Sequence, residues 1–327
     1  MKVIGMGNAL VDIITSLKDD QLLKTLGLPK GSMTLVDFEN LNFINVETSG
    51  LYKQKASGGS AANTIHGLAH LGIDTGFIGT VGNDELGSFF YKDMKSKKID
   101  PILFKSIKDT GRSIALVSPD SERTLATYLG AAIELSDDDL NSKIFKGYDY
   151  FYVEGYLVQN YDLIKKALRL AQKTGLKTCI DLASFNIVED HKAFFLEIIR
   201  DYIDIVFANS TEAEMLTGEK PETAVHTIGE MVDISVVKNG AEGSMILNNG
   251  KLYDVGVRPS KPVDTTGAGD MYASGFLYGL INNMPMDVCG QAGAIISGRV
   301  IEDYGAKMDE ATWEILRREI TAIMQKM

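Results

Sequence analysis

Short apolar runs alternate with amphipathic stretches along most of this chain. Residues 2–6, 75–81, 150–153, 177–181, 203–208, 234–238, 244–248 and 250–255 read as strands. Over 62–71, Ile65, Leu68 and Ala69 fall on one helical face and Gly72 ends the run. Residues 86–96, 161–174, 192–200, 211–216, 271–281 and 287–301 read as further helices. This alternation predicts a mainly parallel sheet with helices on both faces. Two stretches break the rhythm. Residues 15–56 are polar and turn-rich, with one strand-like run at 32–36 after the Pro29–Gly31 turn. Residues 102–131 carry a hairpin signal: strand-like runs at 113–118 and 124–129 flank Pro119-Asp120-Ser121-Glu122. The expectation is one α/β domain over 1–327, three-layered, with a small β-sheet lid built from about 15–56 and 102–131.

Composition narrows the picture. The chain has 327 residues, a net charge of -11 and 45% hydrophobic residues, an ordinary globular balance. The acidic excess argues against bulk nucleic-acid binding, which needs Lys and Arg to neutralise phosphates. It leaves a nucleotide ligand open, because local fields decide that. The two cysteines, Cys179 and Cys289, form no Cys-x-x-Cys or Cys/His cluster, so no zinc site is expected. The chain enters a strand at Lys2 without a leader pattern, and no run approaches ~18 apolar residues. A reducing cytoplasm is the expected compartment, with no membrane partner.

The sharpest chemical signal is Asp264-Thr265-Thr266-Gly267-Ala268-Gly269-Asp270, just before a predicted helix. Gly267 and Gly269 leave the backbone bare, and amides at the positive end of a helix cradle anions. A carboxylate beside such a cradle can orient a hydroxyl and take its proton, which suits phosphoryl transfer. The helix N-terminus should favour ionised Asp270 and make it a weak base that accepts the proton late. The plain alternative is that Asp270 is a helix N-cap. A second signal, Gly58-Gly59-Ser60-Ala61-Ala62-Asn63, also precedes a helix, and Asn63 offers both donor and acceptor. In a third, Gly5-Met6-Gly7-Asn8-Ala9-Leu10-Val11-Asp12, Leu10 stands where a dinucleotide fingerprint needs glycine. Asn8 and Asp12, at the mouth of a parallel sheet, are better read as groups for sugar hydroxyls. There is no GxxxxGK[ST] and no protein-kinase motif set.

These signals, in this order, resemble the ribokinase-like (PfkB) family of carbohydrate and nucleoside kinases over essentially the whole chain. The resemblance implies a ribokinase-like core and ATP-dependent phosphorylation of a hydroxymethyl group. It makes Asp270 the base and Thr266, Gly267, Ala268 and Gly269 the anion hole. Asn209-Ser210-Thr211-Glu212 is similar to the family element that organises Mg²⁺ at the phosphates, with Glu212 acting through water. Lys238, Gly240 and Gly243 fall in a segment similar to the loop lining ATP, and the resemblance assigns Asn209 to ATP as well; bare, that loop is a hairpin turn. Gly7–Ile13, 122–128 and 202–209 resemble the adenosine kinase branch in particular. That likeness assigns Asp12, Gly58, Gly59 and Asn63 to ribose hydroxyls, with Asn8 beside them. It brings Arg123 toward the phosphates and sets Leu125, Thr127 and Tyr156 beside the base. Ala9 and Ala62 depart from the eukaryotic adenosine kinases, which carry Pro and Gln there, and Ala62 resembles sugar kinases. Ribose, fructose or a keto-deoxy sugar acid therefore stays open as acceptor. A monovalent cation is known in the family, with Asp264 and Thr266 the suggestive positions here. A binding protein without catalysis is the reading from another class. Oligomeric state, monomer or homodimer, is left open.

Overall fold

The computed structural model describes residues 1–120 and 122–325; Ser121, in the expected hairpin turn, lies outside them. Among the described residues, fourteen strands form two sheets. They are β1 (Lys2–Met6), β2 (Leu10–Ser16), β3 (Met33–Leu35), β4 (Gln54–Gly58), β5 (Asp74–Gly82), β6 (Ile99–Ser106), β7 (Gly111–Val117), β8 (Arg123–Tyr128), β9 (Tyr150–Glu154), β10 (Lys177–Asp181), β11 (Ile205–Asn209), β12 (Ile234–Lys238), β13 (Ser244–Asn248) and β14 (Lys251–Val255). The large sheet has the order β14-β13-β12-β11-β10-β9-β1-β5-β6, and its seven strands from β12 to β6 run parallel. The hairpin strands β13 and β14 add the antiparallel edge. The small sheet has the order β3-β8-β7-β2-β4.

Neighbouring residues on the strands point to opposite faces and enter separate cores. Val3, Tyr152, Phe207 and Val236 pack with helices Ser60–His70, Ala268–Ile281 and Met286–Val300. Their neighbours Ile4, Phe151, Val206 and Val237 pack with helices Tyr161–Lys173 and Phe185–Tyr202. All eight strand side chains are fully buried. Each contributes roughly 1.5–3 kcal/mol, so the sandwich is the rigid platform for the loops at its edge. The small sheet buries one face, where Val11, Ile13, Ile114, Leu116 and Ala126 meet Leu41 and Ile44 of helix Phe38–Glu47.

Several boundaries differ from the sequence expectation. Residues 102–106 do not join the small sheet; they end β6, which pairs with β5 along eight positions. β2 starts at Leu10, so Asp12 sits on the small sheet and not at the mouth of the parallel one. Residues 15–56 contain a ten-residue helix, Phe38–Glu47, capped by Asp37 on the Asn40 amide. Helices Pro221–Gly229 and Glu310–Met324 fall where no element was read. No helix among the described residues is long and apolar enough to cross a membrane.

Candidate active site

The 264–270 loop is organised around the Asp264 carboxylate. Its Oδ1 accepts from the Thr266 amide at 3.0 Å and the Thr266 hydroxyl at 2.7 Å. Its Oδ2 accepts from the Gly305 amide at 2.7 Å and from Arg123 Nη1. Burial alone would raise the Asp264 pKa, but these donors, with Gly305 and Thr266 foremost, outweigh it and hold it low. Gly267 then turns the chain with φ 76° and caps helix Ala268–Ile281. The Thr266 amide is spent on Asp264 and the Ala268 amide on the Thr265 carbonyl. The amides of Gly267 and Gly269 are left without a protein acceptor among the described residues. The expected four-residue cradle thus narrows to these two glycines and the helix N-terminus behind them.

Asp270 is the third residue of that helix, so it is not the N-cap. Its carboxylate leaves its own helix and accepts from Ser60 Oγ at 2.7 Å and Asn63 Nδ2 at 2.9 Å. Thr64 Oγ1 bonds its carbonyl at 3.2 Å. The two helices approach closely because Gly67 is bare; a Cβ there would lie 2.4 Å from Ser274 Oγ. Burial raises the Asp270 pKa to about 6 despite the Ser60 and Asn63 donors. This runs against the expectation of a weakened base, since desolvation exceeds the help of the Ser60 and Asn63 donors and Asp181 adds to it. Asn63 Oδ1 is buried without a partner, so its donor side serves Asp270 while its acceptor side is unused.

Two more of the sequence-predicted groups join this spot. Gly59 caps helix Ser60–His70 with φ 100°, and a Cβ on it would lie 2.1 Å from the Asn8 carbonyl oxygen. Gly58 ends β4 against Asp12, whose Oδ2 would lie 2.3 Å from a Cβ at that position. Burial raises the Asp12 pKa to about 6, opposed by Lys307 and Arg123. Asn8 is committed elsewhere: its amide and Nδ2 donate to Glu154 Oε1 at 2.9 and 2.8 Å.

Glu154 was not read from the sequence. It ends β9 fully buried, and its Oε2 accepts the Ala61 amide at 2.8 Å. It thereby ties β1, β9 and helix Ser60–His70 together, and burial raises its pKa to about 7. Its one sequence signal is an acid closing an apolar run. Glu154→Ala would strand three buried donors, so a stability loss of about 2–4 kcal/mol is expected in urea unfolding. A loss under about 1 kcal/mol would show the donors re-paired.

The face of the small sheet turned away from helix Phe38–Glu47 looks onto this region. Arg123, Leu125 and Thr127 alternate along β8 and share that face, because Arg123 reaches Asp264 and Thr266 Oγ1, the latter at 3.3 Å. Cross-strand pairing puts Asp12, Ser113 and Thr127 in one row, and Ile14, Ala115, Leu125 and Met33 in the next. Thr127 Oγ1 bonds Ser113 Oγ at 3.2 Å. Tyr156 lies apart from this face, its hydroxyl donating to the Ala183 carbonyl at 3.4 Å.

On the opposite side of Asp270, Lys238 Nζ bonds Asp181 Oδ2 at 2.8 Å and would lie 3.1 Å from a Cβ on Gly269. Burial opposes its charge, but Asp181 and Glu212 hold its pKa above the ordinary lysine value. Asn209 and Glu212 form a capping box: Asn209 Oδ1 takes the Glu212 amide, while Glu212 takes the Asn209 amide and Nδ2. Burial, then Asp181, raises the Glu212 pKa to about 7. Gly240 and Gly243 shape the β12–β13 hairpin; Gly243 has φ 100° and faces the Val255 carbonyl, 2.1 Å from an added Cβ. A cleft of about 270 Å³ opens there beside Asn239, Glu242 and Ser244. Among the described residues no three His, Cys, Asp or Glu side chains converge to hold a metal directly. The carboxylate excess of Asp181, Glu212 and Asp270 over Lys238 suits a hydrated dication held mainly by phosphates. Bound Mg²⁺ would supply charge neutralisation at the transferring phosphoryl group.

Unpaired amides at a helix N-terminus, a buried carboxylate and a second sheet facing both suit phosphoryl transfer. A model of the pfkB family of carbohydrate kinases matches residues 42–313, and the chain belongs to that family. It is a kinase whose acceptor is a hydroxyl group of a small sugar or nucleoside. The chain is 33% identical to the adenosine kinase of Sinorhizobium meliloti, with TM-score 0.86 and 97% and 99% of the two chains covered. It is 32% identical to a probable sugar kinase from Rhizobium etli, with TM-score 0.87 and 98% of each covered. It is 28% identical to the 5-dehydro-2-deoxygluconokinase of Clostridium beijerinckii, over 93% of this chain and 95% of that one.

Proposed function

We propose that this protein transfers the γ-phosphoryl group of Mg-ATP to the hydroxymethyl group of a nucleoside or sugar, with adenosine the acceptor the site suits best. The observation that carries this is the Asp270 carboxylate, buried between Ser60 and Asn63 and set beside the free amides of Gly267 and Gly269. Asp270 holds the acceptor hydroxyl and takes its proton as the new P–O bond forms and the bond to ADP breaks. The Gly267 and Gly269 amides, with Lys238, stabilise the charge on the moving phosphoryl group. Asp12 and the free Asn63 Oδ1 take ribose hydroxyls, and the apolar row of Ile14, Leu125 and Met33 covers the base. The small sheet acts as a lid that excludes water, so that ATP is not spent on hydrolysis.

Charge supports a neutral acceptor. Arg123 faces Asp264 and Lys238 faces Asp181, so neither of these cations is in surplus. One observation favours a second reading, a keto-deoxy sugar acid: Lys307 Nζ is buried without a hydrogen-bond partner and could take a carboxylate. ADP release with Mg-ATP across adenosine, other nucleosides, ribose, fructose and keto-deoxy sugar acids separates the two. Turnover on adenosine and not on the acids is expected. Turnover confined to a sugar acid would sink the adenosine assignment and give Lys307 the acceptor's carboxylate.

A further inference from the structure

We propose that Arg123 is the built-in counter-cation of the Asp264 loop, standing where a kinase of this family could use a monovalent ion, and that turnover therefore does not depend on K⁺ or Na⁺. The inference rests on the kinase reading above. A monovalent ion bound at Asp264 would need free carboxylate oxygen lone pairs. Asp264 has none to give: Oδ1 takes two donors from Thr266, and Oδ2 takes the Gly305 amide and Arg123 Nη1. The ion pair is desolvated, with the Arg123 and Asp264 side chains only 9% and 7% exposed. A second cation beside the guanidinium would meet like-charge repulsion that the buried setting screens poorly. The residues present do not fit the ion.

The pairing also explains why the cation comes from β8. Asp264 fixes Thr266, and Thr266 leads directly into the Gly267 turn of the phosphate cradle. An unneutralised Asp264 carboxylate beside that cradle would repel the phosphates it must hold. Arg123 supplies the compensating charge from a strand 141 positions away in sequence, and it also reaches Thr266 Oγ1 at 3.3 Å. Charge balance at the cradle is thus complete only when the small sheet is down. Arg123 is a positioning residue, acting on the cradle through Asp264 and Thr266.

The test is steady-state turnover of the wild type and of Arg123→Ala with the acceptor found above. Assays run in tetramethylammonium buffer, with KCl, NaCl or guanidinium chloride added from 0 to 100 mM. The wild type is expected to vary less than twofold across KCl and NaCl. Arg123→Ala is expected to lose at least tenfold in kcat and to regain at least fivefold with guanidinium or K⁺. Arg123→Lys should fall between them, because an ammonium restores the charge but sits on a shorter stem and holds its hydration water more tightly than a guanidinium. A wild type stimulated fivefold or more by K⁺ would overturn the proposal, a result independent of how any variant folds. So would an Arg123→Ala protein with a wild-type melting curve whose loss no cation repairs. A wild type inactive with every acceptor and salt would instead fail the kinase reading itself.

Discussion

Replacing Asp270 by Asn is expected to lower kcat by about 10²–10⁴-fold, with little change in the acceptor KM. The loss should sit in kcat, because the carboxylate is needed as the hydroxyl proton leaves and less for ground-state binding. The fold should tolerate the change. Ser60 can still donate to the new amide oxygen, and Asn63 can turn its unused Oδ1 toward the new NH₂ group. Stability should rise. The folded-state pKa of Asp270, about 6, lies above the ordinary aspartate value of 3.8. The native state therefore binds this proton more tightly than the unfolded chain, and ionisation destabilises it as pH climbs from about 4 through 6. At neutral pH the penalty is of the order of 2–3 kcal/mol, which Asn removes. Urea midpoints at pH 7.5 and pH 4 test this: the variant should be the more stable at the higher pH, and the gap should close at the lower. A variant keeping more than a tenth of wild-type kcat would remove Asp270 from the reaction.

Gly267→Ala is expected to be nearly as damaging, by a different route. Gly267 has φ 76°, where a side chain costs roughly 1–2 kcal/mol. Its Cβ would also lie 2.4 Å from that of Ala306, far inside contact distance. The strain has one exit, a shift of the turn away from 305–306, and that shift moves the Gly267 and Gly269 amides. Loss of an oxyanion-type donor costs about 10²–10³ in kcat, and a similar drop is expected here. The Gly305 amide that bonds Asp264 lies next to Ala306, so the Arg123 pairing should loosen as well. Measured kcat within threefold of wild type would mean that these amides do not hold the phosphoryl group.

What could be read from the sequence follows the range of the interactions concerned. The 264–270 run carries its own chemistry, because turn, cradle and carboxylate are covalent neighbours. The parallel core was legible because its strands are continuous apolar runs, a pattern that survives without knowledge of partners. Glu154 was invisible because its meaning comes from Asn8 and Ala61, 146 and 93 positions away. Asp181 was passed over as the last residue of a strand, although it anchors Lys238 from 57 positions off. The pairing of Arg123 with Asp264 likewise crosses from one sheet to the other loop. Residues 102–106 fell within the expected lid because they break the regular alternation of the core; they end β6 at the edge of the large sheet, where half-burial relaxes the apolar pattern. Helix Phe38–Glu47 has a weak apolar stripe, with only Leu41 and Ile44 buried, which left it looking like loop. Burial also reversed the local argument about Asp270, since the helix N-terminus is visible in sequence and the depth of the carboxylate is not.

The most direct test of the account is the site of phosphorylation, read by proton-coupled ³¹P NMR of the product made from Mg-ATP and the preferred acceptor. The proposed transfer to a hydroxymethyl group predicts a phosphomonoester resonance split by two equivalent or near-equivalent protons, the signature of a primary CH₂–O–P group. A resonance split by a single methine proton, or orthophosphate and ADP with no phosphorylated acceptor, would contradict it.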